Sequence, residues 1–335
     1  MNTEPTSEAV SENGGTTSVS SAEGPRTAWV LIGPTATGKT AVANELARRM
    51  GADVLSADSM LVYTGMNIGT AKPTPAEYVG LVLHGIDLVP PDTTFSVGAW
   101  IEAARAAFAS AAAHDRALIV AGGTGLYINA LLRGLDAPPA DAALRAQLTA
   151  LHAEGGITAL QAEAEARSPG SVATLADPMN PRRLIRLVER LAAAPSLTGG
   201  LNRVACQANI VAGLFVKPEV LAMRIATRIE QMFASGLLDE VVALRARYPH
   251  FSKTASLGIG YAEAMAILDG EMTQEAATAR IALRTRHLAK RQRTWFRHQL
   301  DVEWVAGPAD EADVPRAADE VMEVWKRHGK TIVHI

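Results

Sequence analysis

The sequence predicts an α/β fold: a parallel sheet flanked by helices, with an inserted helical domain. Three observations predict it. Short apolar runs alternate with helical stretches from Ala28 to Val120, a glycine-rich turn separates the first run from the first helix, and residues 139–201 read as helix without a convincing strand.

The elements follow in order. Ala28–Ile32 reads as the first strand, Lys39–Met50 as the first helix, and Asp53–Ala57 as a second strand ending at Asp58. Val97–Ala113 is a helix feeding the strand Ala117–Val120. Composition shifts near Asp136–Pro139, and Asp141–His152, Ile157–Ala166, Val172–Leu175 and Pro181–Ala194 are all helical in pattern. Asn209–Val216 returns to the sheet. Pro218–Arg247 is helical with a break at Gly236, Ser256–Gly270 is a turn with a short helix, Thr273–Leu300 is one long helix, and Val302–Ala306 is expected as the last strand. The domain division is a polar tail at 1–25, a core at 26–138, the insertion at 139–201, the core again at 202–310, and a tail or terminal helix at 311–335.

Composition sets the class. The chain has 335 residues, 48% hydrophobic and 20% charged, with a net charge of -3, which suits a globular protein with a sizeable core. A wholly basic coat is excluded, but a local basic face is not. The one cysteine, Cys206, permits no disulfide within the chain and no thiolate zinc site. The first 25 residues lack the apolar run of a secretory signal, and no stretch is long enough to span a bilayer. A monomer in a reducing cytoplasm is the expectation.

The turn reads Gly33-Pro34-Thr35-Ala36-Thr37-Gly38-Lys39-Thr40, which matches the phosphate-binding P-loop spacing. The glycines let main-chain N–H groups converge on phosphate oxygens, and the helix start adds its partial positive charge. Lys39 supplies a cation and Thr40 a hydroxyl for a divalent metal, magnesium being the expected ion. The motif places the chain among P-loop, nucleoside-triphosphate-hydrolase-like folds and is shared by ATP-binding proteins. The strand at 117–120, however, runs into Ala121-Gly122-Gly123-Thr124-Gly125 with no acidic residue at its end. That weakens a nucleotide-hydrolysing role.

Asp58, in Ser56-Ala57-Asp58-Ser59, lies beyond a strand end and so on the P-loop side of the sheet, where open α/β folds bind ligands. It suits a proton acceptor, a holder of metal-bound water, or a simple turn cap. Thr124 offers a hydroxyl at the same rim. The loop Gly65–Pro73 adds Thr70 and Lys72 as groups that could hold a substrate edge.

Positive charge concentrates further on. Arg280, Arg284, Arg286, Lys290, Arg291, Arg293 and Arg297 occur in one helix that carries no acid between 280 and 300. Arg286, Lys290, Arg293 and Arg297 share a face that fits nucleic-acid phosphate, while Ile281, Leu288 and Trp295 form an apolar stripe expected to pack on the core. Arg182, Arg183 and Arg186 open the last helix of the insertion, and Arg224 and Arg228 lie one turn apart on the helix after it. Such arginines can close over a polyphosphate or form ordinary ion pairs.

Taken together, GPTATGKT at 33–40, SADSMLVYTGMNIGTAKP at 56–73, AGGTGLY at 121–127, GIGYAEA at 258–264 and RTRHLAKRQRTWFR at 284–297 resemble the tRNA dimethylallyltransferase (isopentenyl-tRNA transferase) family over about 28–297. The resemblance implies transfer of a dimethylallyl group from dimethylallyl diphosphate to N6 of adenosine 37 of tRNA, with magnesium. It implies Asp58 as general base, Thr124 as its partner, and residues 33–40 with Arg224 and Arg228 on the diphosphate. It also implies Ser59, Met60, Leu61, Thr70, Lys72, Arg182, Arg183, Arg186, Lys290, Arg291, Arg293 and Arg297 toward the tRNA, with the insertion gripping the anticodon stem-loop. Leu61 stands where many members carry Gln, and Asn180-Pro181 where Asp-Pro is common. The alternatives are a P-loop small-molecule or nucleotide kinase, or an RNA-binding module without catalysis.

Overall fold

The computed structural model describes residues 26–134, 141–193 and 210–335. The expected tail at 1–25, the composition shift near 136–139 and Cys206 lie outside the described residues.

The core is a sheet whose strands are β1 (Arg26–Ile32), β2 (Asp53–Ala57), β3 (Leu83–His84), β4 (Leu118–Gly122), β5 (Val211–Phe215), β6 (Val302–Ala306) and β7 (Thr331–Val333). Its order is β3-β2-β4-β1-β5-β6, all parallel, and β7 pairs antiparallel with the first residues of β1. The interior strands are apolar on both faces, as a parallel sheet covered by helices requires. Leu31, Ile32, Leu55, Ile119 and Val120 are fully buried, each stabilising the fold by about 1.5–3 kcal/mol.

Helices cover both faces. α1 (Lys39–Met50) packs Val42, Leu46 and Ala47 against one side together with α11 (Val314–His328). It ends at Gly51, whose N–H donates to the Ala47 carbonyl, and its last turn carries Arg48 and Arg49 where the helix dipole favours cations. α2 (Val97–Ala113), capped by Ser96, and α3 (Gly125–Arg133) bury Trp100, Ile101, Ile128 and Leu131 on the other side.

α4 (Ala142–Arg167) and α5 (Pro181–Ala193) form a helical hairpin with its own apolar cluster around Leu148, Leu160, Leu184 and Val188. The two helices expected at 141–152 and 157–166 are both present within α4, separated at Gly156, whose backbone (φ 65°, ψ -159°) leaves the helical region. The break at Gly236 separates α6 (Pro218–Ala234) from α7 (Leu237–Arg247). Then come α8 (Lys253–Ser256), α9 (Tyr261–Leu268) and α10 (Gln274–Gln299), which crosses α6.

Two expectations are corrected. Val302–Ala306 is not the last strand, because β7 follows α11; three residues are too short to register as a strand pattern. The stripe Ile281, Leu288 and Trp295 does not simply pack on the core. Ile281 is buried and half-buried Trp295 packs against the core as expected, but both, with half-buried Leu288, also line a cavity.

Candidate active site

The carboxyl ends of β1, β2 and β4 open into a cavity of about 1020 Å3. Its floor is the P-loop from Thr35 to Thr40; Ser56 to Leu61 and Ala121 to Leu126 form the sheet rim. α6 contributes Arg224, Ile225, Arg228, Ile229 and Met232, and α10 contributes Ile281, Thr285, Leu288, Arg291, Gln292 and Trp295.

The P-loop holds a backbone that ordinary residues avoid. Gly38 has φ 87°, and a side chain there would meet Pro308 at 2.8 Å. Ala36, at φ 62°, adopts the left-handed region without being glycine. Strain of this kind persists only where the surroundings fix it, and it concentrates at binding sites. Thr37 Oγ1 donates to the Pro34 carbonyl at 2.9 Å, bracing the loop from inside. Gly33 and Pro34 lie behind the cavity surface.

Charge at the floor is one-sided. Lys39 Nζ donates to the Pro34 carbonyl at 2.6 Å. Crowding by the surrounding protein pulls its pKa down to about 8, against the attraction of Asp58, while Arg228 pushes it further down. Solvent in the open cavity still reaches Lys39, which is half-buried. Arg228 is lowered by desolvation as well, with Asp58 opposing. Its Nε is buried and has no hydrogen-bond partner among the described residues. A recessed cation with an unsatisfied donor, beside a second cation, is a site made for an anion.

The two α6 arginines, paired in the sequence reading, differ. Arg224 donates to the carbonyls of Ala36, at 3.3 Å, of Ala309, at 2.9 Å, and of Pro308. It lines the cavity yet ties the P-loop to the chain after β6. Arg228 carries no such bonds and is the arginine ready for a ligand.

Asp58 Oδ1 accepts from the Met60 N–H at 2.9 Å, so the turn-cap role is real; its other oxygen has no hydrogen bond among the described residues. Thr124 Oγ1 accepts from the Ser59 N–H at 2.9 Å and donates to Ser59 Oγ at 3.3 Å. The two functional candidates are thus tied through one turn, and both line the cavity. Ser59, Met60, Leu61, Thr70 and Arg291 line it too.

Other expected residues stand elsewhere. Lys72 is a correction: its side chain is 5% exposed, donates to the Tyr63 carbonyl at 2.7 Å and pairs with Asp87 at 2.5 Å. It anchors the loop and does not line the cavity. Arg182 and Arg183 are exposed on the hairpin, and Arg186 pairs with Glu189 at 2.8 Å; none lines the cavity. Lys290 and Arg297 are exposed and Arg293 half-buried on the outer side of α10, whereas Arg280 and Arg284 pair with buried Glu263.

No motif spacing in the sequence singles out Gln292. Its Oε1 accepts from the Thr35 N–H at 2.8 Å, and its Nε2 donates to the Gly123 carbonyl at 2.9 Å. One amide therefore joins the P-loop to the rim that carries Thr124. The only sequence signal is an uncharged polar residue inside a basic run.

A magnesium ion is compatible with this donor set. No group of three His, Cys, Asp or Glu able to hold a metal exists among the described residues, but magnesium at a P-loop takes a hydroxyl, phosphate oxygens and water rather than a protein cage. Thr40 lines the cavity at the required position. Among the described residues no helix is long and apolar enough to cross a membrane.

Comparison with known proteins agrees with this geometry. A family model described as IPP transferase matches residues 61–299, and one described as isopentenyl transferase matches 26–87. A tRNA dimethylallyltransferase of Anaeromyxobacter sp. (strain Fw109-5) is 40% identical over 298 residues, 87% of this chain and 98% of the relative. One from Geobacillus kaustophilus is 38% identical over 302 residues, 88% and 94% of the two chains. The crystal structure of a tRNA isopentenylpyrophosphate transferase from Bacillus halodurans superposes with a TM-score of 0.61 at 32% identity, covering 89% of this chain and 98% of that one. With the P-loop cavity in place and these matches running through most of its length, the chain belongs to the IPP transferase family, alongside the tRNA dimethylallyltransferases.

Proposed function

We propose that the protein transfers the dimethylallyl group of dimethylallyl diphosphate to tRNA, at N6 of adenosine 37, and releases diphosphate. The observation that carries this reading is the division of one cavity into two chemistries. A recessed cationic floor, Lys39 and Arg228, meets an apolar wall of Ile225, Ile229, Met232, Ile259 and Ile281. A diphosphate fits the floor and a short branched hydrocarbon fits the wall.

P-loop amides with Lys39 and Arg228 stabilise the charge that grows on the leaving diphosphate oxygen as its bond to the allylic carbon breaks. The exocyclic nitrogen of adenine forms the new bond to that carbon and gives its proton to the free oxygen of Asp58. Ser59 and Thr124 fix the turn that carries Asp58. Thr40 would offer its hydroxyl to a magnesium ion, which would supply further neutralisation of the leaving group.

An extruded base of an anticodon loop can enter such a cavity at lower cost than one from a duplex. The exposed cations Arg286, Lys290 and Arg297 on α10, with half-buried Arg293 beside them, form the face for RNA phosphates, and Arg182 and Arg183 on the hairpin face the anticodon stem. A kinase reading is disfavoured because β4 ends in Ala121 and Gly122 without a metal-positioning acid.

The test is Asp58→Ala. It should cut kcat by about 10²–10⁴-fold, the usual range for a positioned proton acceptor, with tRNA and donor affinity preserved. Transfer of labelled dimethylallyl to unmodified tRNA at close to the wild-type kcat would remove Asp58 from this role.

A further inference from the structure

The loop between β2 and β3 supplies Gly69, Thr70, Ala71 and Pro73 to the cavity wall. Its backbone is held from behind. The carboxylate of Glu240, in the first turn of α7, accepts from the N–H of Asn67 at 3.2 Å and from that of Ile68 at 3.0 and 3.1 Å. Tyr261 OH donates to the same carboxylate at 2.6 Å and accepts from the Gly69 N–H at 3.2 Å. Three consecutive main-chain amides are thus captured by one carboxylate and one phenol. Tyr261 is fully buried, and a side chain at Gly69 would overlap its ring. Burial first, and then the negative Glu240 beside it, hold the phenol protonated, so it remains a donor.

This assembly sits on the Asp58 side of the cavity. A side chain at Gly258 would meet the Met60 methyl at 2.7 Å, and one at Gly260 would meet Gly69 at 3.7 Å. The α8–α9 turn is therefore packed on both the turn that carries Asp58 and the loop that faces it. At the far end, Lys72 fixes the same loop to Tyr63 and Asp87. Neither Glu240 nor Tyr261 lines the cavity, so neither touches a substrate. Solvent could satisfy loop amides at a surface, but it would not hold their direction.

We propose that Glu240 and Tyr261 are positioning residues: a carboxylate–phenol clamp that sets the 69–71 wall against the acceptor base, so that its nucleophilic nitrogen is aligned between Asp58 and the donor. The proposal rests on the prenyl-transfer reading above. The clamp acts on acceptor geometry; the Tyr261 phenol also lies within electrostatic reach of Arg228, but being protonated it leaves the charge of the diphosphate floor unchanged.

The variants Glu240→Gln and Tyr261→Phe keep size and packing while removing, respectively, the charged acceptor and the shared hydroxyl. Each should lower kcat at saturating tRNA on the order of 10–100-fold, the cost of a displaced reacting group, with dissociation constants for dimethylallyl diphosphate and tRNA unchanged. Because the pair acts as one unit, the double variant should lose little more than either single one. Melting curves and donor binding identify a variant that has merely loosened. Wild-type kcat in both single variants, or losses that follow donor affinity or melting temperature, would overturn the clamp. A wild-type chain that transfers no prenyl group would instead overturn the functional reading, and the clamp's role with it.

Discussion

In the α4–α5 hairpin the buried carboxylate of Glu189 meets two guanidinium groups, Arg145 at 2.6 and 2.7 Å and Arg186 at 2.8 Å. Burial would raise its pKa, but these bonds win and hold the carboxyl below its usual range. In the cavity the arrangement is reversed. Lys39 and Arg228 are both recessed, both lowered by desolvation, and Asp58 is the carboxylate that acts on both. The hairpin's buried carboxylate finds both of these partners within the hairpin itself. The cavity floor leaves positive charge and a buried Arg228 Nε uncompensated, which costs stability and is repaired by an incoming anion.

Breaking the hairpin side should have the largest effect on stability. Replacing Arg145 and Arg186 together by Ala leaves Glu189, 1% exposed, without these two guanidinium groups and should cost about 3–5 kcal/mol. Urea unfolding monitored on the hairpin checks this. Loss below about 1 kcal/mol would mean that the carboxylate is not uncompensated after all.

Breaking the cavity side should act on function instead. Arg228→Met should lower kcat/KM for the donor on the order of 10²–10³-fold, with stability unchanged or raised because an unpaired recessed cation is removed. Arg224→Met should behave differently, losing about 1–3 kcal/mol of stability through its three carbonyl bonds. Equal effects of the two substitutions on donor kinetics and on melting would erase the distinction drawn between them.

The outer side of α10 sharpens the comparison with the smallest effect. Arg293→Gln with Arg297→Gln should reduce the slope of log affinity for tRNA against log salt by about 1.5. An unchanged slope would take RNA phosphate away from this surface.

The sequence made the P-loop, its strand and its helix legible because their signal is local: spacing, glycines and a helix start within a dozen residues. Asp58 was legible for the same reason, as the end of a strand on the P-loop side. The helices at 39–50 and 97–113 follow apolar periodicity closely enough that their bounds match the structure. What escaped depends on distant partners. Gln292 reaches Thr35 across 257 positions, and Glu240 reaches Ile68 across 172; no periodicity encodes either bond. Lys72 carries charge in a motif that suggested ligand contact, yet the Tyr63 carbonyl and Asp87 engage its ammonium, and Arg224, which does line the cavity, also binds three carbonyls of the protein itself. Leu288 and Trp295 follow the helical stripe of a core face, but α10 borders a cavity there. A sequence pattern reports that a side chain avoids water, not whether protein or substrate covers it.

The account turns on a donor diphosphate docking between Lys39 and Arg228. Because desolvation pulls the Lys39 pKa down to about 8, a bound anion should raise it, so binding near pH 8 should draw up to roughly half a proton onto it. Well below pH 8 the lysine is already charged and the uptake should vanish. Calorimetric titration of dimethylallyl diphosphate with magnesium, in buffers of different ionisation enthalpy, measures this directly, with Lys39→Met as reference. Proton uptake near pH 8 is expected in the wild type, with weaker binding and no such increment in the variant. Equal affinity and equal proton uptake in the two proteins would remove Lys39 from the diphosphate site.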